Sequence, residues 1–133
     1  MSKINAYIRF KNNCRQAMTF YQECLGGELD IQIVKDSPMK DMFPPQLQDI
    51  VLHASLDNGD LTLLGSEMPS EDPEGHTITL MLVCDNKADF FSKFNKLAEG
   101  GKVIHEGSTF FAGTMGNLTD KFGIRWGVFT AEK

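Results

Sequence analysis

Residues 7–10, Tyr-Ile-Arg-Phe, alternate polar and apolar, the period of a strand whose two faces meet different surroundings. Asn12 and Asn13 then supply N-cap chemistry, and Ala17, Phe20, Tyr21, Cys24 and Leu25 recur at helical spacing, so one apolar helical face is predicted. Gly26-Gly27 can take the positive φ that ends it. Three strands are predicted next, over 28–34, 50–56 and 61–64, the last two joined by the turn Asp57-Asn58-Gly59-Asp60. Between the first two lies 35–49, with Pro38, Met39, Met42, Phe43, Pro44 and Pro45, too long for a tight turn. It is expected to form a loop or short irregular flap that is mobile and folds over the mouth of a cleft.

Residues 67–75 have linker composition, with Pro69, Pro73 and four acidic residues, and then the pattern begins again. A strand over 77–84 precedes Asp85 and Asn86, either of which can cap a helix whose face is Phe90, Phe91, Phe94, Leu97 and Ala98. Gly100-Gly101 closes it as Gly26-Gly27 closes the first, and strands are predicted over 102–106, 110–115 and 124–130. The chain therefore repeats one βαβββ unit, about 3–66 and about 76–131, within a single domain of 1–133. The predicted class is α+β: two units whose curled mixed sheets enclose a cleft, with the helices outside.

With 13 basic against 18 acidic residues the net charge is −5, and no Lys/Arg cluster could follow a phosphate backbone, so nucleic acid is not an expected partner. Residues 1–5 run straight into a strand pattern, without the apolar core of a secretion signal, and no stretch of about 18 apolar residues occurs, so a cytoplasmic protein without a membrane partner is expected. Cys14, Cys24 and Cys84 lack the close pairing of a zinc knuckle or redox pair and read as reduced, structural thiols. No Ser/His/Asp or Cys/His set and no phosphate-cradling glycine loop can be recognised.

Three segments carry a resemblance: Tyr7-Ile8-Arg9-Phe10 with Ala17-Met18-Thr19-Phe20-Tyr21; residues 51–56, Val-Leu-His-Ala-Ser-Leu; and Thr109-Phe110-Phe111-Ala112 followed by residues 116–126, which include Thr119-Asp120-Lys121-Phe122-Gly123 and Trp126. Together they resemble the PhnB-like branch of the vicinal-oxygen-chelate (glyoxalase/bleomycin-resistance/dihydroxybiphenyl dioxygenase) superfamily, a branch sometimes labelled a 3-demethylubiquinone methyltransferase domain. The resemblance spans essentially the whole chain. It implies a metal-dependent lyase, isomerase or transferase, or a binding protein of the same fold. Methyl transfer is not expected, because a Rossmann-type cofactor site needs a glycine-rich strand-to-helix turn and both Gly-Gly pairs here follow helices.

Enzymes of that superfamily hold a divalent metal with His, Gln or Glu on the first and last strands of each unit, pointing into the cleft. Strand alternation sends Ile8, Phe10, Trp126 and Val128 toward the helices and leaves Tyr7, Arg9, Thr62, Leu64, Thr77, Thr79, Met81, Arg125 and Gly127 facing inward. None is a usual ligand, so no metal and no other cofactor is predicted, a divalent metal being the main alternative. The expected ligand-binding residues are Tyr7, Arg9, His53 and Arg125, which suit an anionic or polar aromatic small molecule. His53 is a contact or general base by one reading and a hydrogen-bonded sheet histidine by the other, and His76 and His105 read as solvated. Trp126 reads as core. The resemblance also implies a homodimer, and Val51 and Phe111 are apolar positions left over from the helix-facing sets.

Overall fold

The structure is a computed structural model that describes residues 4–67, 75 and 78–133. The predicted positions Thr77 and His76, and most of the 67–75 linker, lie outside the described residues. The chain forms two compact units, residues 1–72 and 73–133. The first runs β1 (Ala6–Arg9), α1 (Cys14–Leu25), β2 (Glu28–Ile33), β3 (Val51–Asp57) and β4 (Thr62–Ser66). Its sheet order is β1-β4-β3-β2, with β1 parallel to β4 and the other neighbours antiparallel. The second repeats it as β5 (Leu80–Cys84), α2 (Lys87–Ala98), β6 (Lys102–Phe110), β7 (Gly113–Thr119) and β8 (Arg125–Thr130), in the order β5-β8-β7-β6. Two four-stranded mixed sheets, each with one helix, make the α+β class that the repeat predicts.

Helix α1 buries all five residues of its predicted face together with Cys14 and Met18. At roughly 1.5–3 kcal/mol for each large side chain withdrawn from water, this face is what holds the helix to its sheet. Gly26, at φ 75°, ends α1, and Gly100, at φ 73°, follows α2 in the same way. Helix α2 buries Phe90, Phe94 and Leu97, but Phe91 is 41% exposed. The expectation that Phe91 joins the core is corrected on geometry: one residue beyond Phe90 is a 100° turn around the helix, and Phe91 packs edge-on against Phe90 at 4.9 Å from the rim.

The two helix N-termini are capped differently. Asn86 Oδ1 accepts from the Asp89 N–H at 2.8 Å, as the sequence suggests. Asn13 makes no such bond. Instead Glu67, just beyond β4, accepts from the Cys14 N–H at 3.0 Å with one oxygen and from the Val51 N–H at 2.9 Å with the other. A carboxylate there also suits the positive end of the helix.

Two further boundaries differ from the sequence reading. The strands expected over 102–106 and 110–115 are β6, which continues through Phe110, and β7, which starts at Gly113. Gly107 lets β6 run on past the helix, since a Cβ there would stand 2.5 Å from the Phe90 ring. The segment 35–49 contains short 3-10 turns at Lys40–Met42 and Pro45–Leu47, after one at Val34–Asp36. Its neck is tied by the Val34 N–H to Ile50 and the Lys35 N–H to Gln48, and the Gln48 amide donates to the carbonyls of Lys40 and Phe43.

The turn before β8 is built around Asp120, buried at 3% exposure. Its carboxylate accepts from the Phe122 N–H (2.8 Å), the Ile124 N–H (3.0 Å) and the Trp126 indole N–H (2.9 Å). Trp126 is core, as expected, and the Asp-Lys-Phe-Gly signature is a folding device. No helix among the described residues is long and apolar enough to cross a membrane.

Candidate functional site

Register fixes which side chains share a face, because residues paired across a ladder point the same way. In the first unit Gly65 marks the helix side, since a Cβ on it would lie 3.2 Å from Met18 Sδ and 3.3 Å from Cys14 Sγ. Ile8 and Ala54 pair with Gly65, so they face the helix and their alternates face away. The helix-free face therefore carries Tyr7 opposite Leu64, Arg9 opposite Ser66, and His53 opposite Gln32. Tyr7, at 54% exposure, Arg9 and His53 are all open to solvent. Tyr7 and Arg9 are two residues apart on β1, about 7 Å, and His53 lies two strands across, about 10 Å away. Three of the four expected anchors thus share one polar patch.

Arg125 opens β8 in the second unit. Gly116 marks the helix side there, with a Cβ position 2.8 Å from the Phe94 ring, and Val128 pairs with it. Arg125, opposite Thr119, consequently lies on the helix-free face of its own sheet. On that face too are Met81 and Asn117, each paired with Gly127. Sequence reasoning missed Asn117. It placed the end of the strand at residue 115, which left Asn117 in a turn where alternation could not assign it a face. Gln32 was also missed, because its neighbour on the sheet comes from a register that only the fold supplies.

His105 is exposed in the body of β6, where a strand end had been expected. The three cysteines are buried thiols, none of them joined in a disulfide. Burial, with the nearby Glu67 carboxylate adding to it, pushes the Cys14 thiol up to about 12. Burial, followed by the charge of Asp89, pushes Cys84 up to about 11. Neither is placed or poised as a nucleophile.

At the positions where the resemblance to the superfamily implies metal ligands stand Tyr7, Thr62 or Leu64, Thr79 or Met81, and Gly127. The hollow over Gly127 is filled by a thioether, a Cβ there standing 2.7 Å from Met81 Cε and 3.1 Å from Sδ. Hard divalent ions take carboxylate, carbonyl or imidazole donors, and these side chains do not fit such an ion. Among the described residues no three His, Cys, Asp or Glu side chains converge.

Paired βαβββ units of this topology define a glyoxalase-type fold. The chain belongs to the Glyoxalase/Bleomycin resistance protein/Dioxygenase superfamily, whose family model matches residues 3–128. It is 33% identical to protein PA1353 from Pseudomonas aeruginosa, with a TM-score of 0.85 and 100% of both chains covered. It is 28% identical to Protein YjdN of Escherichia coli (strain K12), over 92% of this chain and 91% of that one. A PhnB protein from Bacillus cereus, which carries the name of a 3-demethylubiquinone-9 3-methyltransferase, matches with a TM-score of 0.77 at 20% identity, covering 97% and 99% of the two chains. That last likeness concerns the fold.

Proposed function

We propose that this protein binds an anionic or polar aromatic small molecule on the helix-free faces of its sheets, without a catalytic metal. The observation that carries the reading is the convergence of Tyr7, Arg9 and His53 on one exposed face, with Arg125 on the equivalent face of the second unit. A guanidinium offers a carboxylate two parallel N–H donors, a phenol adds a donor or acceptor, and an imidazole can do either near neutral pH. The donor set in the metal positions supports the same reading, because a thioether over a glycine cannot supply the hard ligands that superfamily metal chemistry uses.

Methyl transfer is not part of the proposal. Both Gly-Gly pairs lie at helix C-terminal ends, where the Gly26 N–H is already bonded to Gln22 and the Gly101 N–H to Ala98. They do not build the strand-to-helix cradle that a Rossmann-type cofactor needs.

Titration of the full chain with benzoate, followed by calorimetry, tests the reading. Arg9→Ala is expected to weaken binding on the face of the first sheet, and Arg125→Ala binding on the face of the second, each by about 1.5–3 kcal/mol, the range for hydrogen bonds to charged groups. Unchanged affinity in both variants would remove the basis of the proposal.

A further inference from the structure

On the helix-free face of the second sheet the ladders align side chains in rows across the strands. Arg125 and Thr119 form one row, which ends at Lys102. The next row, two residues along the three inner strands, is Met81, Gly127 and Asn117, and it ends at His105 on β6. Val83, Phe129 and Met115 follow in the row beyond, which ends at Ser108. The face therefore passes from cationic to apolar over roughly 13 Å, four residues of strand rise.

In the middle row the Asn117 Oδ1 atom is buried and finds no hydrogen-bond partner among the described residues. A buried acceptor without a partner is costly, so native proteins keep few of them, and a functional role is one reason for keeping one. Beside it Gly127 offers bare backbone, and what lies over that backbone is the tip of Met81, a side chain that is 51% exposed. Methionine is unbranched and has three rotatable bonds, so it can leave the hollow at little cost.

We propose that this row is a recognition subsite. Asn117 Oδ1 accepts a hydrogen bond from an O–H or N–H group on an aromatic carboxylate, Arg125 meets the carboxylate, and Met81 swings off Gly127 to admit the ring. The step between the two rows, about 7 Å, is close to the length of a benzene ring bearing the two groups at opposite ends. This deepens the anion-binding reading and rests on it, adding a group that selects for a donor.

The test compares 4-hydroxybenzoate with 4-methoxybenzoate, in the wild-type chain and in Asn117→Leu, alongside urea unfolding of both proteins. The wild type is expected to bind the hydroxy compound roughly five- to tenfold more tightly, the worth of one net hydrogen bond. Asn117→Leu is expected to erase that ratio and raise the urea midpoint, because it removes an unsatisfied buried acceptor. A wild-type ratio near one, a ratio that survives Asn117→Leu, or a lowered midpoint, as when ordered water satisfies the oxygen, overturns the subsite. Each of these leaves Arg125-dependent binding of 4-methoxybenzoate intact as support for the broader reading. Failure of both carboxylates to bind overturns the two together.

Discussion

Asp120 ties together a turn and the core, holding two backbone N–H groups of its own turn and the indole of Trp126. Asp120→Ala would leave those donors buried without an acceptor and is expected to cost about 2–4 kcal/mol in urea unfolding. Trp126→Phe in the Asp120→Ala background should cost less than it does alone, since the shared hydrogen bond is already gone. The thiols set a pH dependence. Their folded values, about 12 for Cys14 and about 11 for Cys84, lie above the ordinary 9.0, so their contribution is complete below pH 9 and is lost as pH rises toward 11–12. Alkaline titration of the melting temperature should show that fall, and a thiol reagent at pH 8 should label the cysteines only after unfolding. At this scale alternation was enough to place Ile8 and Trp126 against the helices and Tyr7 and Arg9 away from them. Asn117 escaped because its face depends on where β7 ends, and the strand runs on to Thr119, held there by its pairing with β8 rather than by any local signal.

Both helices were legible as elements, because their apolar faces and closing glycines are local signals. The cap of α2 was legible for the same reason, Asn86 and Asp89 being three residues apart. The cap of α1 was not, since Glu67 reaches Cys14 from 53 residues away and sequence chemistry points to Asn12 and Asn13. Glu67→Ala is accordingly expected to destabilise the chain by about 1–3 kcal/mol, through the loss of a helix cap and of the acceptor for the Val51 N–H, while Asn13→Ala should be close to neutral. Equal losses in the two variants, measured by urea unfolding, would contradict this assignment. The 35–49 segment was legible as non-periodic. Its internal ties were hidden because the Gln48 amide bonds carbonyls five and eight residues back, with no pattern to announce them.

For the molecule as a whole, the doubled βαβββ order was readable because each unit ends its helix with Gly-Gly and restarts the same alternation. The superfamily follows from that order together with the family-model match over residues 3–128. The chemistry was less legible, because it depends on what stands in a few sheet positions. There the chain places Tyr7 and Gly127, and covers the latter with Met81. The central claim is anion binding that needs no metal ion, and benzoate titration of the full chain before and after exhaustive chelation tests it most directly. Equal affinity in the two samples, lowered alike by Arg9→Ala, is the expected result. Affinity that disappears on chelation and returns when a divalent metal is restored would contradict it.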